Sequence, residues 1–386
     1  MMNADMTVAG YVGKYFVKKE NKELWFYTLT LGKDANGKRI QKKKRGFKNE
    51  REAKKALRDA QVQADKGSYY EPSKMTYGEF LKEWFRGKSA NYSDQTTKST
   101  ESYIRLHIMP QLGQYPLSKL NVLIIERFMN DLRAKGLAEG TIKRIYNVVT
   151  ASLNSAERKD IIPRNVATRI DNKPKGGKKD MEVWTAEEVK LFLNTVRREE
   201  VRYYEAFHLA LATGMRQGEI LGLRWRDVDL ERGIVSVRQT LSHDGKTLRP
   251  GAKTTTSVRT ISIDPDTVSM LDKWRRRQQL EKSYAGAMYE DNDLVVCTTV
   301  GTPTTPRNLS RTWYSMLKKS ELHPITFHDL RHTHASLLLK NNVHPKIVSE
   351  RLGHASIQIT LDLYSHLFPN MQEEAAHALG EQLFRT

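Results

Sequence analysis

The run Lys173-Pro174-Lys175-Gly176-Gly177-Lys178-Lys179 limits the fold more than any other stretch of this chain. Proline and glycine break both helix and strand, and four lysines keep the segment in water. No single core can pass through it. The chain must therefore fold as separate units joined by an extended basic linker, here bounded at 173–181. With 386 residues there is room for two or three domains. Residues before the linker read as 1–72 and 73–172, and residues after it as 182–370 followed by a tail at 371–386.

Periodicity separates the two early units. In 1–72, Tyr11–Val17, Leu24–Leu31 and Lys38–Arg45 are short aromatic and β-branched runs that predict three strands, with a hairpin turn at Asn36-Gly37. Asn49 caps a helix over Glu50 to Asp65, with Ala53, Ala56, Leu57 and Ala60 on one face. A three-stranded sheet backed by one helix leaves a sheet face open. This unit holds 17 Lys and Arg against 9 Asp and Glu, a net of +8. Arg39, Lys42, Lys43, Lys44 and Arg45 on that face suit a DNA major groove. The same lysines also suit a solvated edge strand that deters aggregation.

From Thr76 to Ile162 the pattern is helical. Apolar stripes run through Tyr77, Phe80, Leu81 and Trp84, then Tyr103, Leu106 and Ile108, then Ile124, Ile125, Phe128, Met129 and Leu132, then Ile142, Ile145, Val149, Leu153 and Ala156. These predict a four-helix bundle. After the linker, Thr185 and Glu188 have capping-box spacing. A helix over Tyr203–Thr213 and strands at Ile234–Gln239, Val258–Ile263 and Asp293–Thr298 predict a mixed α+β unit. The expected architecture is thus multidomain, mainly α, with small β-sheets.

The net charge of +19 favours a polyanionic partner, nucleic acid before anionic membrane. No run of about 18 apolar residues predicts a membrane span, and the polar N-terminus lacks a signal-like apolar region. The single cysteine, Cys297, excludes an internal disulfide framework and follows Leu294-Val295-Val296, which predicts a buried thiol.

Candidate chemistry concentrates in the last domain. Arg216 and Glu219 share a helical face and could be a plain ion pair. Lys253 stands near a hairpin, with Lys246 an alternative on the same hairpin. His328 and Arg331 share another face. His332 and His334 suggest a metal cluster, but no carboxylate or cysteine sits at ligand spacing, so no metal is expected. His354 follows Leu352-Gly353, and Tyr364 is one of 16 tyrosines. Each is weak alone, but their order within one domain is not. Thr213-Gly214-Met215-Arg216-Gln217-Gly218-Glu219-Ile220, Lys253, His328-Asp329-Leu330-Arg331-His332-Thr333, Leu352-Gly353-His354 and Tyr364-Ser365-His366 together resemble the catalytic domain of the tyrosine recombinases, the phage integrase family. Residues 76–172 resemble that family's core-binding domain. Residues 1–72 resemble the arm-binding domain of integrases from Gram-positive phages and conjugative transposons.

The resemblance implies a site-specific recombinase that cleaves and rejoins DNA through a 3′-phosphotyrosyl link to integrate and excise a mobile element. Tyr364 would be the nucleophile, Arg216 and Arg331 the phosphate clamp, and Lys253 the proton donor to the leaving oxygen. His328 would be proton acceptor or phosphate ligand, His354 a phosphate ligand, and Glu219 the group orienting a neighbouring base. Lys173, Lys175, Lys178 and Lys179 of the linker would cross the DNA backbone. No cofactor is implied, neither metal nor nucleotide. The implied partners are duplex attachment sites of core and arm type, four protomers on DNA, and an excisionase or host DNA-bending protein. No membrane is implied; the expected place is the cytoplasm of a bacterial host, at the nucleoid. The alternatives are a Xer-like housekeeping recombinase, a type IB topoisomerase and a catalytically silent DNA-binding regulator.

Overall fold

The computed structural model describes residues 9–18, 20–33, 38–65, 75–176, 181–250, 258–364, 380, 381, 383 and 384; of Tyr364 only the backbone is described. The Asn36-Gly37 turn, Lys178, Lys179, Lys253 and nearly all of the tail lie outside the described residues. The chain divides into two compact units, Met1–Lys178 and Lys179–Thr386.

The first unit begins with an antiparallel sheet in the order β1 (Ala9–Val17), β2 (Lys22–Lys33), β3 (Arg39–Phe47). Helix α1 (Glu50–Asp65) is capped by Asn49, whose Oδ1 accepts from the Glu52 amide at 2.8 Å. Tyr27 and Leu29 of β2 pack on Leu57, Ala60 and Ala64 of α1. Successive strand residues face opposite sides, so the register sorts the basic residues of β3. Lys42 and Lys44 stand opposite Leu29 and Tyr27, on the helix side. Arg39, Lys43 and Arg45 share the open side. The expectation that all five occupy one face is therefore revised by the pleat. On the open side Phe26 is covered by Tyr11 and Tyr15, and the Lys43 ammonium lies 3.6 Å above its ring. The Arg45 guanidinium lies 5.5 Å from the Tyr15 ring. Cations held over aromatic rings give this face a pattern of charge and flat apolar surface.

The bundle has its own core. Helix α2 (Tyr77–Ser89) starts in a capping box of Thr76 and Glu79 and buries Tyr77, Phe80, Leu81 and Trp84. Helix α3 (Asp94–Tyr103) runs on through a π-turn at Ile104–Ile108 into α4 (Met109–Leu112). Pro110 has no N–H to give to the preceding turn. Widening that turn, with the Met109 amide bonded back to Ile104, lets the helix pass the proline. The widened turn aligns Ile104, Ile108 and Leu112 on the buried side and leaves Leu106 52% exposed. The expectation that Leu106 is core fails for that reason. Helices α5 (Val122–Ala134) and α6 (Glu139–Arg158) complete the bundle. The Tyr77 and Ser152 hydroxyls hydrogen-bond at 2.7 Å inside it. Beyond α6, Lys173 and Lys175 are exposed in irregular backbone on either side of buried Pro174.

In the second unit, α7 (Ala186–Arg198), α8 (Tyr204–Thr213) and α11 (Pro306–Ser320) enclose an aromatic cluster of Trp184, Phe192, Phe207, Trp313 and Phe327. Burial of each ring contributes roughly 1.5–3 kcal/mol. Helix α9 is Gln217–Leu221. The main sheet has the order β4 (Val228–Asp229), β5 (Ile234–Val237), β8 (Arg259–Ser262), beside a hairpin of β6 (Gln239–Leu241) and β7 (Leu248–Pro250). Helices α10 (Pro265–Ala285), α12 (Asp329–Lys340), α13 (Pro345–Leu352) and α14 (Ile357–Tyr364) follow.

The predicted strand Asp293–Thr298 does not join a sheet and makes only isolated bridges, Arg224 with Leu294 and Cys297 with Pro303. Its central backbone is satisfied otherwise. The Val295 amide bonds Leu223, and the Val295 carbonyl accepts from the Trp274 indole at 2.7 Å and the Gln278 amide at 3.0 Å. Cys297 is buried, as its apolar neighbours imply; burial pushes its thiol pKa up.

Candidate active site

Two left-handed glycines project the candidate residues from helix ends. Helix α8 stops at Gly214, with φ +66°. A Cβ there would lie 2.7 Å from both His334 and Leu352, so only glycine fits. Met215 then plugs the core at 1% exposure, and the next residue, Arg216, points outward with its side chain 41% exposed. Helix α13 stops likewise at Gly353, φ +65°, and His354 follows it.

Arg331 ties these two ends together. Its Nη1 donates to the Gly214 carbonyl at 2.8 Å and its Nη2 to the Leu352 carbonyl at 2.7 Å. Charge-assisted bonds of this kind contribute roughly 1.5–3 kcal/mol each. The Glu219 carboxylate accepts from the Arg216 amide at 2.9 Å and from its Nη1 at 2.8 Å. Burial alone would raise the Glu219 pKa, but its pairing with Arg259 and Arg216 outweighs burial and brings it down to about 2. His328 opens α12, directly after core residue Phe327, and its ring lies 5.2 Å from that of His332. His354 Nδ1 hydrogen-bonds the Thr360 hydroxyl at 2.8 Å.

The electrostatics place these groups in one field. Burial lowers the His328 pKa, and the Arg331 and Arg216 charges lower it further. Burial and the same two arginines push His354 down to about 4. Burial and His328 bring His332 to about 4. All three imidazoles are therefore neutral at pH 7. Among the described residues, no group of three or more His, Cys, Asp or Glu is placed to hold a metal ion, and no helix is long and apolar enough to cross a membrane.

The structure thus brings Arg216, Glu219, His328, Arg331 and His354 together, with α14 ending at Tyr364. Lys246 sits at the tip of the β6–β7 hairpin, its amide bonded to Asp244 at 2.9 Å. Two residues were missed in the sequence. Arg259 bonds Glu219 through both terminal nitrogens, and its signal was the alternation of β8, which buries Arg259 and Ile261 and exposes Thr260 and Ser262. Thr360 carried no signal. His334, whose spacing from His332 suggests a metal ligand, is a core residue whose Nδ1 donates to the Leu211 carbonyl at 2.7 Å.

Residues 182–371 match the phage integrase family, residues 76–133 the N-terminal SAM-like domain of phage integrases, and residues 15–64 an arm DNA-binding domain. A "Tyrosine recombinase XerC-like" protein of Caldanaerobacter subterraneus subsp. tengcongensis is 30% identical over 94% of this chain and 97% of its own. This chain belongs to the phage integrase family. It is a tyrosine-type site-specific DNA recombinase. The ICEBs1 integrase of Bacillus subtilis is 29% identical over 72% of this recombinase and 76% of that relative. In fold, the recombinase resembles the Tn1549 transposon integrase solved with transposon right-end DNA, with a TM-score of 0.68 and 20% identity over 80% of this chain and 99% of that one. It also resembles lambda integrase, solved as a tetramer on a Holliday junction, with a TM-score of 0.57 and 19% identity over 94% and 96% of the two chains.

Proposed function

We propose that this recombinase integrates and excises a mobile DNA element, with Tyr364 as nucleophile. The observation that carries the reading is the Arg331 side chain, bonded at once to the turn bearing Arg216 and the turn bearing His354. A scissile phosphate held there meets two guanidinium groups, whose planar donors suit the charge that grows on its non-bridging oxygens. The tyrosyl oxygen forms a bond to phosphorus, and the bond from phosphorus to the 5′-oxygen breaks. A phenol of pKa about 10 must lose its proton as it attacks. His328 is neutral at pH 7 and suits the role of acceptor. Lys253 supplies the proton to the 5′-oxygen, and His354 positions the phosphate. The phosphotyrosyl link conserves the bond energy, so a second 5′-hydroxyl reverses the step and rejoins the strands.

Two duplexes with two strands each need four such centres, so four protomers assemble on DNA, aided by tail residues 371–386 docking on a neighbour. Residues 1–72 grip separate arm sites through the open face that carries Arg39, Lys43 and Arg45, and Lys173, Lys175, Lys178 and Lys179 track the backbone. An excisionase or a host DNA-bending protein sets direction, and the work takes place at the nucleoid in the bacterial cytoplasm. A Xer-like role is the second reading, favoured by the name of the Caldanaerobacter relative. The two readings differ in whether recombination depends on residues 1–72.

The test is covalent trapping on a nicked suicide substrate carrying the attachment core. Wild type yields a protein–DNA adduct, and Tyr364→Phe binds the same DNA without one. An adduct formed by Tyr364→Phe refutes the assignment.

A further inference from the structure

Arg259 lies on β8, outside the set of residues proposed to touch the phosphate, and is 9% exposed. Its Nη2 and Nη1 donate to the two Glu219 oxygens at 2.8 and 3.2 Å. Its Nε donates to the Arg351 carbonyl at 2.6 Å. A Cβ on Gly353 would lie 2.9 Å from its Cδ. Arg259 and Arg331 therefore hold successive carbonyls, of Arg351 and Leu352, in the turn that presents His354. Each also reaches the Gly214–Glu219 segment, Arg331 at its first residue and Arg259 at its last.

We infer that Arg259 is a positioning residue for strand cleavage, which keeps the charge of Arg216 directed at the phosphate. Glu219 touches Arg216 at 2.8 Å, and an otherwise unpaired buried carboxylate at that distance would cancel the guanidinium. Arg259 takes up the Glu219 charge from the opposite side, and the three groups together carry one net positive charge. Arg216 is left as the exposed cation of the trio. The bond to Arg351 gives the same side chain a second task, because it fixes the height of the Gly353-His354 turn against Arg216. A lysine can supply the charge but not three bonds in one plane.

This inference rests on the proposed clamp role of Arg216, and its test separates the two. The readout is the rate of covalent adduct formation by the full chain on the nicked core substrate, beside core-DNA affinity and thermal unfolding. If wild type forms no Tyr364-dependent adduct, the proposed function fails. Given that adduct, Arg259→Gln is expected to slow its formation on the order of 100-fold, the cost of a misplaced catalytic group. Core-DNA affinity is expected to change less than the rate. Loss of Arg259 removes the main influence that lowers the Glu219 pKa and leaves burial, which raises it. Protonation of Glu219 at acid pH then releases Arg216 from neutralisation. The ratio of the variant rate to the wild-type rate should accordingly rise as pH falls from 8 to 5.5. Glu219→Gln combined with Arg259→Gln should be faster than Arg259→Gln alone, and Arg259→Lys should fall between wild type and Arg259→Gln. A flat rate ratio across pH, or a double variant no faster than the single, overturns the inference. Should Arg259→Gln fail to fold, Arg259→Lys decides: an adduct rate equal to wild type overturns the inference, and a folded, DNA-binding but slow protein supports it.

Discussion

His334 makes the stability of the catalytic unit depend on acid. It is 5% exposed, its Nδ1 is bonded to the Leu211 carbonyl, and its Nε2 is buried without a hydrogen-bond partner. Burial pushes its pKa down to about 4. An unfolded histidine titrates near 6.5, so below that pH the unfolded chain binds a proton that the folded chain refuses. Stability from this group is fully present above pH 6.5 and is lost as pH falls from 6.5 toward 4. Linkage over the two pKa values gives a loss of about 2 kcal/mol between pH 7 and pH 5. His334→Asn is the informative variant, since its amide nitrogen can still donate toward Leu211 while the titrating nitrogen is gone. Urea unfolding of the full chain, followed through tryptophan fluorescence from pH 7.5 to 5, should show wild type losing stability more steeply than His334→Asn. The variant starts lower at neutral pH because the smaller side chain leaves a gap. Parallel pH profiles for the two proteins would show that His334 does not set this acid sensitivity.

Gly214→Ala forces a left-handed backbone onto a residue with a Cβ, at a cost of roughly 1–2 kcal/mol before any clash. The added atom also meets His334 and Leu352 at 2.7 Å. Unfolding measurements should show the destabilisation, and the adduct rate should fall by about 100-fold through displacement of Arg216. On the N-terminal sheet, joint replacement of Lys43 and Arg45 by alanine should reduce arm-site affinity and lower the salt slope of binding by about 1.8, as for two lost phosphate contacts. Cleavage at a core site should be unchanged by it. Removal of residues 1–72 should likewise spare core cleavage and impair recombination of full attachment sites; equal recombination by the truncated chain favours the Xer-like reading.

Local sequence was enough wherever a local force decides the structure. Asn49 and Thr185 each cap the helix expected of them, because a cap needs only its own turn. The stripes of α2, α5 and α6 are buried largely as their spacing implies. Features settled by distant partners were not legible. Asp293–Thr298 has the composition of a strand, yet its central backbone is bonded by Leu223, Trp274 and Gln278 from elsewhere in the chain. Leu106 fits a 3.6-residue period, and the π-turn that breaks that period answers a proline four residues further on. At the site, the order of Arg216, His328, Arg331 and His354 pointed to one centre. That Glu219 serves two arginines could not be read, because Arg259 is 40 residues away and only the sheet brings it back.

The two carbonyl-holding arginines also set how the enzyme meets acid. A guanidinium does not give up its proton at any pH that a cell reaches. The stitches from Arg331 to Gly214 and Leu352, and from Arg259 to Arg351, are therefore indifferent to acidity, whereas the imidazoles they surround titrate. Acid strong enough to reach the lowered range of these imidazoles should silence proton transfer while the guanidinium stitches keep their charge, so a recombinase paused in this way resumes work once neutrality returns.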